Sequence, residues 1–425
     1  MIGENKLRAT AYFTFCIFLI TQIVLVYIYW DSDSGVDANR YAVNAIINYW
    51  HGYFYPSTLN LYDEYLHSPG MVNYLILQYV AMGGANWYGI TRILNILMSA
   101  GIVLEMAWLS KRFFSVNTAY WAVILHCVIL TNVFAPICVM TEVPFLFFAL
   151  SAFCLVLRKG WFTLFFAGLI YAIAHTFRPL AFVFIITSLW LLVLSKQYLR
   201  GNLLLSVTVF FIVGYGFYNY KQTGIFVTSS TTGGYNLIMT TGNKYIAKQD
   251  FTIFDDPANI AYINGKNKLT YHEKDSIWRS RSLNWIAAHP FIYTSQYVGN
   301  LFLLWGADYW SVPEFGEWDN YEKIIRKPNP KKCLLIRRGF QFSESILYYI
   351  VLVMAFSTFY YKRQDLLTTK SAFILLPLLG SAFTAFFPVI VRFHYPYLFA
   401  LTLWAAYGLS SYCEYSKIRF TKEAC

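Results

Sequence analysis

The sequence predicts an all-α, polytopic transmembrane helical bundle of about 10 to 11 spans with a mixed extracytoplasmic loop region. Hydrophobic residues make up 57% of the 425 positions and aromatic residues 20%, whereas charged residues make up only 13%, against roughly 25% in soluble domains. Apolar runs that suit a bilayer recur along most of the chain. A water-facing surface cannot hide this much apolar area. Disorder is therefore excluded, and the lipid bilayer is the expected partner.

The net charge of +11 has two interpretations. A basic chain can bind nucleic acid, but in an apolar chain the excess of Lys and Arg is more typical of cytoplasmic loops beside anionic lipid. We therefore expect no nucleic-acid partner. The seven cysteines have no CxxC or Cys/His spacing, and several lie inside apolar runs, so they indicate neither a metal site nor a disulfide.

The first apolar run, 9–30, follows Lys6 and Arg8 and has no small-residue cleavage site. We interpret it as a retained helix with its N-terminus inside. Six more runs follow before residue 219: 87–109, 119–135, 143–157, 161–175, 180–194 and 203–218. The turns after the second, fourth and sixth of these seven spans are basic, so the positive-inside rule places all three in the cytoplasm. They carry Lys111 and Arg112, Arg158 and Lys159, and Lys196 and Arg200.

This pattern divides the chain into three parts. Residues 1–218 form an N-terminal transmembrane module that contains the first outer loop, 31–86. Residues 219–345 form an extracytoplasmic loop region in which Gly, Asn, Thr and charged residues alternate with aromatic residues. Residues 346–425 form a C-terminal transmembrane module, with spans predicted at 346–360, 372–388 and 395–412.

The stretch 283–306 is the main uncertainty of this topology, because polar residues interrupt it. If it crosses the membrane, the basic run 323–338 is cytoplasmic, but the later turn with Lys362 and Lys370 faces outward. If it does not cross, that turn and the C-terminal tail are cytoplasmic, and only the basic run lies on the outer side. That placement goes against the positive-inside rule, but the rule is weaker for a loop as long as this one. We prefer the second arrangement, which gives ten spans and places both termini inside.

Ionisable residues at membrane boundaries are functional candidates, because they are costly in lipid. In the preferred topology they gather on the outer side. Asp37 lies in the first outer loop, before a predicted interfacial helix at 41–53, and Glu142 starts the fourth span; each also suits an ordinary helix beginning. Arg178 and Arg392 each precede a span, where a guanidinium can anchor the helix or bind a phosphate. A carboxylate and two arginines on one face suit a site that removes a proton and holds a phosphate.

Short motifs recur in a fixed order along the chain. Asp-Ala-Asn-Arg-Tyr-Ala at 37–42 is followed by His-Ser-Pro-Gly at 67–70, Thr-Glu-Val-Pro-Phe at 141–145, a Gly-containing span ending in Arg-Pro at 178–179, and Arg-Phe-His-Tyr-Pro at 392–396. Their order and spacing resemble the multispanning glycosyltransferases that use polyprenyl-phosphate sugars, the protein O-mannosyltransferase-like and lipid A aminoarabinose transferase-like group with GT-C architecture. The resemblance covers residues 37 to about 195 and returns from residue 392.

This resemblance implies an inverting transfer on the extracytoplasmic face, from a polyprenyl-phosphate-linked sugar donor to a lipid, glycan or protein acceptor. It implies that Asp37 is the catalytic base. The substrate-binding residues that it implies are Arg40, Tyr41, His67, Glu142, Arg178, Arg392 and His394. The chain departs from the family pattern at Ala38, where the family has a second acid, at Gly70, where it has a second proline, and at His394. These departures leave the acceptor open.

Two other functions stay open at this point. A transporter or lipid flippase also places charges in apolar surroundings, but it is expected to do so near the midplane and in paired halves, and the chain has no evident internal repeat. A polysaccharide polymerase or ligase is the other alternative.

Asp37, His67 and Glu142 are residue types that ligate a divalent cation, but their spacing demands none, so the cofactor stays open. The expected location is the bacterial inner membrane. Recognition of sugar hydroxyls would depend on unassigned residues between 233 and 278.

Overall fold

The computed structural model describes residues 4–30, 36–83, 87–243, 250–308, 330–389 and 391–423. These residues form helices, short 3₁₀ turns and loops, and no strand occurs among them, which confirms the all-α class. The basic run at 323–338 lies outside the residues whose side chains are described. The helices are α1 (Glu4–Ile28), α2 (Val36–Trp50), α3 (Pro69–Met82), α4 (Trp87–Phe113), α5 (Val116–Val128), α6 (Leu130–Phe134), α7 (Glu142–Val156), α8 (Trp161–Phe177), α9 (Ala181–Leu194), α10 (Tyr198–Thr223), α11 (Thr232–Gly242), α12 (Tyr271–Ala288), α13 (Pro290–Trp305), α14 (Pro330–Tyr361), α15 (Ala372–Thr384) and α16 (Tyr395–Glu423).

Each predicted span coincides with helical structure, but the run 119–135 is not one straight helix. It divides into α5 and α6, which meet at a bend of 73° at Ile129. The break leaves the His126 carbonyl without its helical partner, and the Asn132 side chain donates to it at 2.9 Å. The helix α3 was not predicted, although Pro69 at its first position and the apolar residues behind it are helix signals.

By length and composition, three of the described helices can each cross a membrane: Glu4–Ile28, Tyr88–Phe113 and Tyr198–Thr223. The bent pair that contains α5 and α6 is a fourth if it is one span. Shorter apolar helices lie at Glu142–Val156, Trp161–Phe177, Ala181–Leu194, Ser345–Tyr361 and Thr369–Thr384. An integral membrane protein follows from these helices, whereas the count of ten to eleven crossings stays a prediction.

The C-terminal helix α16 is the centre of the bundle. It packs against α5, α7, α14 and α15, and Tyr397, Phe399 and Trp404 on it are fully buried. Phe184 of α9 stacks on Phe399 at a centroid distance of 6.2 Å. Because α16 is fixed on several sides, the turn that precedes it is held in a definite position.

The basic turns come together at one end of the bundle, which we call the basic end. Arg112 Nη2 donates to the Leu157 carbonyl at 2.9 Å, and Arg200 Nη2 donates to the Val156 carbonyl at 3.0 Å. Lys370 Nζ lies 5.5 Å from the centre of the Phe114 ring, so the turn before α15 is at the same end. The helix α7 therefore runs from Glu142 at the opposite end to Val156 at the basic end.

The helix α13 lies against the end of α15 that is far from the basic end. Tyr293 Oη donates to the Phe386 carbonyl at 3.1 Å, and Trp305 Nε1 donates to Ser381 Oγ at 2.8 Å. A helix of 16 residues is about 24 Å long, and its hydrogen bonds to the neighbouring segment fall within residues 381–387. The helix α13 thus contacts α15 near one end, and whether 283–306 crosses the membrane stays a prediction.

A small lobe, formed by α11, α12 and residues 250–270, has its own core around Trp278 and Tyr235. Trp278 is fully buried, and its Nε1 donates to the Ala261 carbonyl at 2.9 Å. The lobe is joined to the first outer loop, because Tyr271 N donates to the Leu61 carbonyl at 2.8 Å and Thr231 N donates to the Leu66 carbonyl at 3.1 Å.

Candidate active site

Asp37 and Arg392 meet although they are 355 positions apart in the chain. Asp37 lies in the first turn of α2, and Arg392 lies in the 3₁₀ turn Val391–His394 before α16. Arg392 Nη2 donates to Asp37 Oδ2 at 2.5 Å. The Arg392 side chain is only 6% exposed, whereas that of Asp37 is 41% exposed. The carboxylate is therefore the member of the pair that a ligand from solvent can reach.

Glu142 joins Arg392 to Arg178. Its Oε1 accepts a hydrogen bond from Arg178 Nη2 and lies 3.6 Å from Arg392 Nε. The Glu142 side chain is 1% exposed and that of Arg178 is 14% exposed. The ring of Phe393 lies within 5.5 Å of the Arg178 guanidinium carbon. Two carboxylates and two guanidiniums thus alternate in a charged cluster with no net formal charge, and their mutual attraction offsets the desolvation penalty of burying them.

The start of α7 beside this cluster does not use the N-terminal cap that the sequence allows. Thr141 precedes α7, but its side chain makes no cap hydrogen bond. Instead, Thr141 Oγ1 accepts a hydrogen bond from Arg178 Nε at 2.8 Å and donates to Glu142 Oε2 at 3.3 Å. Thr141 is therefore part of the charged cluster, which the sequence did not indicate.

Tyr41 belongs to the same site. It lies one turn after Asp37 on α2, and its side chain is half-buried. Burial raises the pKa of Tyr41, the Asp37 and Glu142 carboxylates raise it further, and the Arg178 and Arg392 guanidiniums oppose that rise. The phenol is therefore neutral at physiological pH and keeps its proton for donation.

His67 and Arg40 lie beside the charged cluster. His67 packs edge to face against Tyr41 and Tyr65, with centroid distances of 5.7 and 4.8 Å. Arg40 Nη1 donates to Tyr65 Oη at 2.5 Å. Burial lowers the pKa of His67 to about 4, and the Arg40 guanidinium adds to that effect. His67 is therefore a neutral imidazole at physiological pH. Tyr65 is a further member that sequence patterns did not indicate.

His394 is not brought into the charged cluster. It is fully buried, its Nδ1 pairs with the Leu304 carbonyl at 2.7 Å, and its Nε2 lies 3.2 Å from Asp308 Oδ1. The rings of Trp305 and Tyr348 lie nearly parallel to the imidazole at 5.3 and 5.2 Å. Since these contacts surround the ring, direct substrate contact by His394 stays a sequence-based prediction, while its position supports the turn that holds Arg392.

Arg92 positions two segments that lead to the site, and none of the motifs described above contains it. It is fully buried in α4. Its Nε donates to the Ile137 carbonyl at 2.8 Å, and its Nη1 donates to the Trp30 carbonyl at 2.8 Å. These bonds hold the end of α1 and the segment before α7, which lead to Asp37 and Glu142. An arginine inside an apolar run was the signal that could have found it.

A metal site does not emerge from the part of the chain that the structure describes. No three side chains of His, Cys, Asp or Glu there gather as metal ligands. Asp37 and Glu142 are instead bound to arginines. The described residues thus supply the positive charge of the site through Arg178 and Arg392, and the cofactor stays open.

Comparisons with known proteins identify the fold. No protein-family model matches the sequence, and neither does any curated protein. The structure is similar to apo oligosaccharyltransferase from Archaeoglobus fulgidus, with 12% identity, a TM-score of 0.53, and coverage of 97% of this chain and 52% of that chain. The same enzyme in complex with Zn and sulfate gives 11% identity, a TM-score of 0.52, and coverage of 96% and 50%. The fold is of the GT-C type.

The likeness concerns the GT-C fold alone, because the identities are so low. This chain spans about half the length of the oligosaccharyltransferase. A weaker likeness exists to ArnT from Cupriavidus metallidurans bound to undecaprenyl phosphate, with 12% identity, a TM-score of 0.39, and coverage of 93% of this chain and 77% of that chain. Within this GT-C fold, the charged cluster lies at the end of α7 that is opposite the basic end.

Proposed function

We propose that this chain is a membrane glycosyltransferase that moves a sugar from a polyprenyl-phosphate donor to a lipid, glycan or protein acceptor, on the extracytoplasmic face of the bacterial inner membrane. The observation that carries the proposal is the contact of a half-exposed carboxylate, Asp37, with a buried guanidinium, Arg392, in a cluster that holds a second guanidinium, Arg178. The GT-C fold supports it, since the site lies at one end of a helical bundle.

Asp37 is the general base in this proposal. Its carboxylate takes the proton from the acceptor hydroxyl while the hydroxyl oxygen attacks the anomeric carbon of the donor sugar. The bond between that carbon and the phosphate oxygen breaks, and its electron pair stays on the leaving polyprenyl phosphate. Attack from the side opposite the phosphate inverts the configuration of the sugar. A base within reach of solvent suits an acceptor that enters and leaves at each turnover.

Arg178 and Arg392 stabilise the negative charge that grows on the leaving phosphate. Glu142 keeps both guanidiniums in place, since it contacts both. Arg392 Nη2 donates a hydrogen bond to Asp37 Oδ2. A donor phosphate that binds Arg392 competes with Asp37 for that guanidinium. Donor binding therefore releases the carboxylate to act as a base.

The remaining predicted residues have supporting roles. Tyr41 offers a hydrogen-bond donor to the substrate beside the charged cluster, because its phenol stays protonated. Neutral His67 and Arg40 both contact Tyr65, which packs on Tyr235 of the small lobe. His394 and Asp308 hold the turn that carries Arg392. The site draws its residues from the N-terminal module, 1–218, and from the C-terminal module, 346–425, so both modules are needed for activity.

The test uses the purified chain in lipid nanodiscs with polyprenyl-phosphate sugars as donors. We expect release of free polyprenyl phosphate that depends on an acceptor and stops on replacement of Arg178 by Gln. Mass spectrometry of glycolipids and glycans from cells with and without the gene identifies donor and acceptor. Movement of an intact lipid-linked sugar across liposome membranes, without cleavage, would instead indicate a flippase and would overturn the proposal.

A further inference from the structure

A cavity of about 330 Å³ lies between the small lobe and α13, apart from the charged cluster. Its lining includes Thr241, Asn243, Asn259, Trp285, Ile292 and Gln296, and no ionisable side chain is among the described residues that line it. This volume falls at the lower end of the range for ligand pockets, about 300 to 1,000 Å³. An uncharged ligand of about one ring fits such a lining.

Two amides at the cavity are held in place by the backbone. Asn243 Nδ2 donates to the Met239 carbonyl at 2.6 Å. Asn259 Nδ2 donates to the Gly242 carbonyl at 3.0 Å, and its Oδ1 accepts from Ala261 N at 3.0 Å. Each amide has two N–H donors and two acceptor lone pairs, so hydrogen-bonding capacity remains for a ligand. Because both side chains are already fixed, a ligand would not have to order them.

Gln296 supplies the observation that points to a ligand. It is 8% exposed, and its Oε1 has no hydrogen-bond partner in the part of the chain that the structure describes. Its neighbour on α13, Asn300, is also buried, but that side chain donates to the carbonyls of Ala385 and Phe387. A buried amide oxygen without a donor is unfavourable. A hydroxyl donor in the cavity would satisfy it.

Trp285 gives the cavity an aromatic wall. Its ring stacks on that of His289 at 4.8 Å and 25°, so its orientation is fixed. A sugar ring combines an apolar face of C–H groups with hydroxyls at its edge, and an indole beside several amides matches both parts. We propose that this cavity binds an uncharged saccharide unit of the acceptor, which makes the acceptor a glycan or glycolipid; this inference rests on the proposed transferase function.

The distance between the cavity and the charged cluster fits an acceptor of more than one sugar. Tyr235, near the start of α11, packs on Tyr65 at 4.5 Å, and Tyr65 binds Arg40 beside the charged cluster. Thr241 and Asn243 come six to eight residues later, which is about 9 to 12 Å along a helix. One unit can therefore occupy the cavity while the reacting hydroxyl of another unit lies at Asp37.

Saturation-transfer NMR on the purified full chain tests the proposal, with N-acetylglucosamine and methyl glucoside as probes and glucuronic acid as a charged comparison. We expect the native protein to bind the neutral probes better than the acid. Gln296→Leu and Ile292→Trp should weaken binding at least tenfold, the first by removing the acceptor oxygen and the second by filling the cavity. Gln78→Leu is the matched control, because Gln78 is also a buried glutamine with an unpartnered amide atom.

Thermal unfolding separates a binding role from a structural one. Gln296→Leu removes an unsatisfied buried oxygen, so its unfolding temperature should equal or exceed that of the native chain while binding is lost. Absence of probe binding to the native chain, or unchanged binding in both cavity variants, would show that the cavity holds water only and would overturn the proposal.

The Asp37→Asn variant distinguishes the cavity from the transfer reaction. If both proposals hold, this variant binds the neutral probes as the native chain does but transfers no sugar. Binding by a native chain that has no transferase activity would refute the proposed function and leave the cavity site standing. Transfer by a native chain that binds neither probe would refute the cavity site alone.

Discussion

Arg392 Nη2 donates a 2.5 Å hydrogen bond to Asp37 Oδ2, and this contact ties the first turn of α2 to the turn that precedes α16. The guanidinium is almost entirely buried and is also close to Glu142, whereas the carboxylate is partly exposed. The proposed base and a proposed phosphate-binding group are thus in direct contact. In the proposed mechanism, the donor phosphate must separate them before the base can act.

Replacement of Asp37 by Asn removes the base but keeps an oxygen that can accept from Arg392. We expect transfer activity to fall about 100-fold or more, in line with the usual contribution of a general base. The unfolding temperature should change little, because the side chain is partly exposed. Release of polyprenyl phosphate in nanodiscs measures the effect. Asp255→Asn, an exposed carboxylate on the small lobe, is the control, and equal losses in both variants would contradict the assignment.

Replacement of Glu142 by Gln leaves two buried guanidiniums without the carboxylate between them. Removing one partner of a buried ion pair typically costs about 3 to 5 kcal/mol, so we expect a large fall in the free energy of unfolding. Chemical denaturation in detergent measures it, with the exposed Glu414→Gln on α16 as the control.

A double variant tests whether Glu142 and Arg178 act as a unit. Glu142→Gln combined with Arg178→Gln should be less destabilised than the sum of the two single variants, because the second change removes a charge that the first left uncompensated. Additive effects would mean that the two side chains do not interact in the folded protein.

The sequence predicted the members of the charged cluster better than their pairing. The basic turns around Lys111, Arg158 and Lys196 fixed the sides of the helices, and this placed Asp37, Glu142, Arg178 and Arg392 on one face. Which carboxylate binds which arginine depends on the packing of α2, α7 and α16, and no local pattern encodes that packing. The bend at Ile129 was also not predicted, because its stabilising contact comes from the side chain of Asn132.

Gly70 explains one departure from the family motif. A Cβ at this position would lie 2.6 Å from both Phe177 N and Thr176 Oγ1, where Ser68 Oγ also donates to the Phe177 carbonyl. The motif that contains His67 is therefore packed directly onto the end of α8, next to Arg178. We expect Gly70→Ala to cost about 1 to 3 kcal/mol of stability, as overpacking usually does, and to reduce transfer.

Gly214 is the matched control for this substitution. It lies on α10 with nothing within 4 Å of its virtual Cβ, so Gly214→Ala should be neutral or stabilising by up to about 1 kcal/mol. Denaturation curves of both variants in the same detergent give the comparison. A stable and fully active Gly70→Ala variant would mean that α3 and α8 can separate without harm.

Protonation of His67 should destabilise the folded chain in mild acid. Burial and Arg40 lower its pKa to about 4 from an ordinary 6.5, so between these values the unfolded chain binds a proton that the folded chain does not. Stability therefore falls as the pH falls from 6.5 towards 4, by up to about 1.4 kcal/mol per pH unit. His67→Gln should lose this part of the pH dependence, while the exposed His272→Gln should keep it. Parallel stability curves for native and His67→Gln proteins across this range would refute the assignment.

Cysteine labelling tests the sidedness on which the extracytoplasmic site depends. Lys362 Nζ lies 5.3 Å from the Tyr407 ring and Lys370 Nζ lies 5.5 Å from the Phe114 ring, so both lysines share an end of the bundle with Lys111. In a cysteine-free background, Lys111→Cys and Lys362→Cys should react with a membrane-impermeant maleimide only after permeabilisation, because basic turns stay in the cytoplasm. Asp255→Cys on the small lobe should react in intact cells. Labelling of Lys362→Cys from outside, with Lys111→Cys protected, would contradict the placement of both turns at the basic end.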